Sequence, residues 1–159
     1  MNVYSCKTYL PFIPIILVTL IPVVIGIYFV ANFKNPFAKD PTKVVLSGIA
    51  LIVLGVFFLS VYIYSYIDNY QNVFLPAQSG KGVTIEGRIA DFNPSDFLDN
   101  RADRFSVNGI EFAVSPNSLA PGYHKTASKG GVLNSEGLFV RITYVKHNNE
   151  VYIVSITIP

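Results

Sequence analysis

The stretch Phe105-Ser106-Val107-Asn108-Gly109-Ile110-Glu111-Phe112-Ala113-Val114 alternates apolar with small or polar residues on both sides of an Asn-Gly pair. Both turn residues tolerate positive φ, so the pattern predicts a tight β-hairpin. Further along, Leu138 to Lys146 and Val151 to Ile158 form a second alternating pair across the polar turn His147-Asn148-Asn149-Glu150. Toward the N-terminus, Val83, Ile85 and Ile89 line one side of a strand whose other side carries Thr84, Glu86 and Arg88. Gly87 interrupts that apolar row and predicts a bulge or a close backbone approach. Five antiparallel strands between residues 83 and 159 predict a five-stranded, oligomer-binding-like (OB-like) β-barrel, with a small sandwich as the alternative. Val107, Ile110, Phe112, Val140, Ile142 and Val154 are its expected core.

The half before this domain has another character. Residues 8–33 and 44–67 carry no charged side chain. A bilayer core about 30 Å thick needs roughly 20 helical residues, so both runs are expected to span it, over about 9–33 and 44–67. The first run is too long for a signal-peptide core and offers no small-residue cleavage site, and Cys6 has no apolar stretch before it for a lipoprotein site. Residues 1–67 thus read as a transmembrane helical hairpin, 68–82 as a polar linker and 83–159 as the β domain.

Within the hairpin, Pro22 is expected to kink the first helix. Gly48 and Gly55 on one helix, and Thr19 and Gly26 on the other, recur at seven-residue spacing and predict close helix packing. Tyr9 and Phe12 share one expected membrane interface with Tyr62, Tyr64 and Tyr66, while Tyr28, Phe29, Phe33 and Phe37 mark the opposite one. Neither span holds an ionisable group, which removes the usual markers of an ion or proton pathway. Lys34, Lys39 and Lys43 crowd the short connection, so it is expected in the cytoplasm. The β domain then lies on the periplasmic or extracellular side of an inner, cytoplasmic membrane.

Hydrophobic residues make up 51% and charged residues 14% of the 159, which excludes disorder; the lone Cys6 excludes a disulfide scaffold. The net charge of +2 lies wholly in residues 1–80, where four Lys face two Asp. Residues 81–159 carry four Lys and four Arg against four Asp and four Glu. A neutral β domain lacks the basic footprint of a nucleic-acid binder, although Phe92, Phe97, Phe105, Tyr123 and Tyr144 offer rings for stacking.

Gly87-Arg88-Ile89-Ala90-Asp91-Phe92-Asn93-Pro94, the hairpin at 105–112, the Gly122–Gly131 segment and Gly137-Leu138-Phe139-Val140-Arg141-Ile142-Thr143-Tyr144 follow one another in order. Over roughly residues 82–158 the chain resembles the barrel-like tails of uncharacterised small bacterial membrane proteins with two transmembrane helices. That resemblance implies an OB-like barrel and carries no established activity.

The segment Ser115 to Gly137 is the place to look for chemistry. Its Tyr123-His124-Lys125-Thr126-Ala127-Ser128-Lys129-Gly130-Gly131 has backbone donors, hydroxyls and two Lys able to grip a partner. The bland alternative is a crossover with glycines at its turns. His124 and Ser128, oriented by one of Asp91, Asp96, Asp99 or Asp103, would make a hydrolase constellation, but no Gly-x-Ser-x-Gly elbow supports it. The same four Asp lack the spacing of a calcium loop, and two separated His with one Cys are too few for zinc.

The sequence therefore predicts a membrane-anchored, non-enzymatic binding or assembly module that presents a small β-barrel. Support of an envelope complex and protection against a rival's toxin are variants of that role. The expected partner-binding residues are Phe92, Phe97, Tyr123, His124, Lys125, Ser128 and Lys129; no catalytic residue, metal or cofactor is expected. The expected partners are the lipid bilayer and a protein partner or a second copy, with nucleic acid disfavoured. A hydrolase built on His124 and Ser128 and an oligomeric channel formed by the hairpins are the alternatives.

Overall fold

The computed structural model describes residues 2–32, 40–95 and 101–159. The chain divides into two compact units, Leu10–Ile67 on the one hand and Met1–Tyr9 with Asp68–Pro159 on the other.

The first unit holds α1 (Ile13–Ala31) and most of α2 (Pro41–Asn69). The runs Ile13–Ala31 and Pro41–Gln78 are long and apolar enough to cross a membrane, by length and composition alone. Their packing rests on missing side chains. A Cβ placed on Gly26 would lie 2.5 Å from the Gly48 carbonyl oxygen, and one on Gly55 would lie 2.5 Å from Val23 and 3.1 Å from Pro22. Only glycine lets the two backbones approach so closely. The open N-terminus of α1 is served by Tyr62, whose hydroxyl accepts the Phe12 backbone N–H at 2.7 Å.

The second unit is a six-stranded antiparallel sheet in the order β1-β6-β5-β2-β3-β4. Its strands are β1 (Asn2–Ser5), β2 (Val83–Asn93), β3 (Asp103–Val107), β4 (Ile110–Val114), β5 (Phe139–His147) and β6 (Glu150–Thr157). Asn108-Gly109 turns β3 into β4 with φ of 48° and 78°, and Asn148-Asn149 turns β5 into β6 with φ of 49° and 64°. Both are the mirror-type turns whose twist suits paired strands. Gly87 proves to be a close approach: its missing Cβ leaves room for the Asn108 side chain, which bonds the Glu86 carbonyl.

One face of the sheet builds the main core from Ile89, Phe105, Val107, Phe112, Val114, Val140, Ile142, Ile153 and Ile156, covered by Tyr123 and Leu133 of the long crossover. The opposite face of β5 and β6 buries Val145 and Val154 against Cys6 and Val73. Val73 comes from a π-helical turn, Tyr70–Phe74, that links α2 to the short α3 (Leu75–Gln78). Val154, expected in the main core, faces this second cluster because β6 bulges there, with Tyr144 opposite Ile153 and Thr143 opposite Ser155.

The sheet does not close, which corrects the expected five-stranded barrel. A barrel would pair β4 with β6, but β1 takes the 155–157 part of that strand. Farther along, the crossover takes another of its acceptors, as the Tyr123 backbone N–H donates to the Ile153 carbonyl at 2.8 Å. The free edges are β1 and β4. The resemblance to barrel-tailed membrane proteins fails on this point. So does the role built on it, a membrane-anchored module presenting a small barrel to an envelope partner or a toxin. The channel alternative gains nothing either, since the Thr19 and Ser60 hydroxyls turn back on carbonyls of their own helices, at 2.9 and 2.8 Å.

Asp103 opens β3 and is 1% exposed. One carboxylate oxygen accepts the Ser95 N–H at 2.8 Å and its hydroxyl at 2.7 Å, while the other accepts the Ala127 N–H at 2.6 Å. A buried acceptor with several donors is costly to remove, because each donor left without a partner keeps its desolvation penalty. Asp103→Ala is expected to lower the stability of the sheet unit by roughly 3 kcal/mol, with Asp103→Asn costing less. Urea denaturation of the full chain followed by tyrosine fluorescence measures this; a loss under about 1 kcal/mol would contradict the role.

Candidate functional site

Opening of the sheet leaves a cleft of about 720 Å³ along the free side of β4. Its walls come from the end of β2 (Asp91, Asn93), from β3 and β4 (Arg104, Ser106, Glu111, Ala113), and from the start of β6 (Glu150, Val151, Tyr152). Pro121, Gly122, Tyr123 and His124 of the crossover also line it.

The backbone of β4 supplies the most distinctive groups. The tight turn makes Val107 and Ile110 a hydrogen-bonded pair, and the register then alternates. Ile110, Phe112 and Val114 point their N–H and C=O groups at β3. Glu111 and Ala113 point theirs away from it, into the cleft, and among the described residues β3 is the only strand paired with β4.

Acidic side chains dominate the rim, where Asp91, Glu111 and Glu150 face one cation, Arg104. Asp91 sits in a bulge between Ala90 and Asn93 with φ at 54°, which turns its carboxylate to accept the Ser106 hydroxyl at 3.0 Å. Glu150 accepts the Tyr152 hydroxyl at 2.7 Å. Partial burial, and then this carboxylate, raise the Tyr152 pKa. Gly122 meets the Ile153 carbonyl at a φ of 139°, a conformation that excludes a side chain. Its own carbonyl accepts the Tyr4 hydroxyl at 2.6 Å.

Of the expected partner-binding residues that are described, Tyr123 and His124 reach this cleft. Tyr123 is buried, its ring 5.1 Å from that of Tyr4 and its hydroxyl accepting the Val132 N–H at 2.7 Å. Phe92 packs against the main core. Lys125 and Lys129 are exposed and Ser128 is half-buried on the 3-10 turn Ala127–Lys129, outside the cleft lining. Phe97, Asp96 and Asp99 lie outside the described residues, as do Phe33, Lys34, Phe37 and Lys39. The rings proposed for base stacking are otherwise spent on packing, with Phe105, Phe112 and Tyr144 at centroid distances of 5.4 and 5.6 Å.

Among the described residues the hydrolase constellation is not assembled, which corrects that alternative. His124 Nε2 lies 2.6 Å from the Ala120 carbonyl, and Ser128 Oγ lies 3.3 Å from Thr126 Oγ1. Asp103 is occupied by Ser95 and Ala127, and Asp91 by Ser106. Among the described residues no group of three His, Cys, Asp or Glu is placed to hold a metal ion. The residues that alternation alone did not single out are Glu111 and Ala113. Their outward face was readable, but not their place on a free edge. Comparison with protein-family models, with curated proteins and with solved structures finds no match to this chain.

Burial lowers the pKa of His124 below its ordinary 6.5, against the opposing pull of the Ala120 and Ser115 carbonyls. A base with a depressed folded pKa binds protons more readily in the unfolded chain, so acidification destabilises the fold. Wild-type stability should fall as pH drops through about 6.5, and the His124→Gln variant should show a shallower fall over that window. Urea midpoints at about pH 7.5 and pH 5.5 test this, and equal slopes would contradict it.

Proposed function

We propose that the sheet unit captures an extended protein segment as an added strand on β4. The observation that carries this reading is the outward row of backbone donors and acceptors at Glu111 and Ala113, which opens into the cleft. An unpaired edge of this kind is a template for another strand. A closed barrel has no such edge, so this role differs in kind from the one the sequence suggested. Burial of Phe112 and Val114 beside the edge keeps its backbone firm before a partner arrives.

The same reading places the two apolar helices in a bilayer, with the sheet unit on the side away from the cytoplasm. Support comes from length and composition, and from strand pairing. β1 precedes both helices and β6 follows them, yet the two strands pair. They must share one side of a membrane, as an even number of crossings requires. The three Lys of the 34–43 connection favour the cytoplasm for the opposite end.

A proline at Ala113 tests strand capture, because the lost N–H is one that the chain's own fold does not use. The full chain in lipid nanodiscs should bind a labelled nine-residue Thr-Val repeat peptide, and Ala113→Pro should weaken binding at least tenfold with the denaturation profile kept. Equal binding by the variant would contradict capture at β4. For topology, a C-terminal reporter active only outside the cytoplasm should give signal; signal from a cytoplasm-only reporter instead would reverse the placement.

A further inference from the structure

Resting on strand capture at β4, we infer that the captured segment runs antiparallel to β4, as all the sheet's own neighbours do, and carries an acidic residue, an apolar residue and a Lys or Arg at three consecutive positions. The register of the outer face supplies this pattern. Ala90, Ser106 and Glu111 form one row across β2, β3 and β4, and the Asp91 carboxylate joins it through Ser106. The next row is Asn93, Arg104 and Ala113. One row therefore presents two carboxylates and the other a guanidinium. Among the described residues neither Glu111 nor Arg104 makes a side-chain hydrogen bond or ion pair.

Cross-strand neighbours share a face of a sheet, so a strand added to β4 extends both rows. Its residue opposite Glu111 meets the carboxylate row and is favoured as a cation. Two positions earlier in the antiparallel segment, the residue opposite Ala113 meets Arg104 and is favoured as an anion. The residue between them falls opposite Phe112 and turns to the apolar inner face. Glu150 on the far wall adds a further negative charge to the cleft. A second copy fits less well, because a matching β4 would offer Glu111-Phe112-Ala113 and no cation to set against Glu111.

The test uses the full chain in nanodiscs and three labelled nine-residue peptides of one Thr-Val framework. Their central triplets, read from the N-terminus, are Glu-Val-Lys, Glu-Val-Glu and Lys-Val-Lys. Each matched charge should change affinity by roughly three- to fivefold, so Glu-Val-Lys should bind tightest to the wild type. With Glu111→Lys, the order should shift so that Glu-Val-Glu binds tightest. If all three bind alike to both proteins, and Ala113→Pro still abolishes binding, the charge pattern is overturned while strand capture stands. If no peptide binds, strand capture fails and this inference with it. Concentration-dependent self-association lost in Ala113→Pro would make a second copy the occupant and overturn the inference as well.

Discussion

The buried carboxylate of Asp103 is the constraint on which the sheet unit depends. It begins β3, and its two oxygens reach in different directions along the chain, to Ser95 before it and to Ala127 after it. The second bond pins the crossover between β4 and β5 onto the sheet. Once that crossover is fixed, Tyr123 covers the core and its backbone N–H occupies the Ile153 carbonyl of β6. With β1 paired along residues 155–157 of the same strand, β4 then has no strand to close with among the described residues. The cleft thus follows from a polar interaction inside the fold, and an apolar replacement of the carboxylate would leave three donors with no acceptor.

The helical unit is organised by the opposite means, the absence of side chains. Gly26, Gly48 and Gly55 bring the two backbones into contact, and a single methyl group at any of them meets an atom at under 3 Å. In the proposed bilayer placement, apolar helices gain nothing from hiding apolar surface, so close packing of this kind is what would hold the pair together. The chain leaves the sheet unit at Tyr9 and returns to it at Asp68, with both helices in the interval. Pairing of β1 with β6 makes that return obligatory.

Local pattern in the sequence revealed what local physics decides. Asn108-Gly109 marked its hairpin, and alternation placed Val107 and Phe112 on the core side. Gly26, Gly48 and Gly55 marked the helix contact through their spacing. Closure of the sheet was not legible, because it turns on Asn2–Ser5 pairing with residues at the far end of the chain. Four residues are too few to show a period. The 123–131 segment looked like a polar surface loop, yet Tyr123 and Thr126 are buried with their polar atoms paired. Asp103 looked like one member of an acidic loop, since only the folded chain brings Ser95 and Ala127 to it. Alternation leaves Glu111 and Ala113 on the outer face of their hairpin but gives no sign that, among the described residues, their strand has just one neighbour.

Amide hydrogen exchange of the free protein, resolved along β4, tests the open edge most directly. If β4 is unpaired on its outer side, the Glu111 and Ala113 amides exchange fast, while those of Ile110, Phe112 and Val114 are protected by β3. Protection of all five amides in the absence of any partner would mean that the edge is already covered, and would contradict both the cleft and the capture of a strand within it.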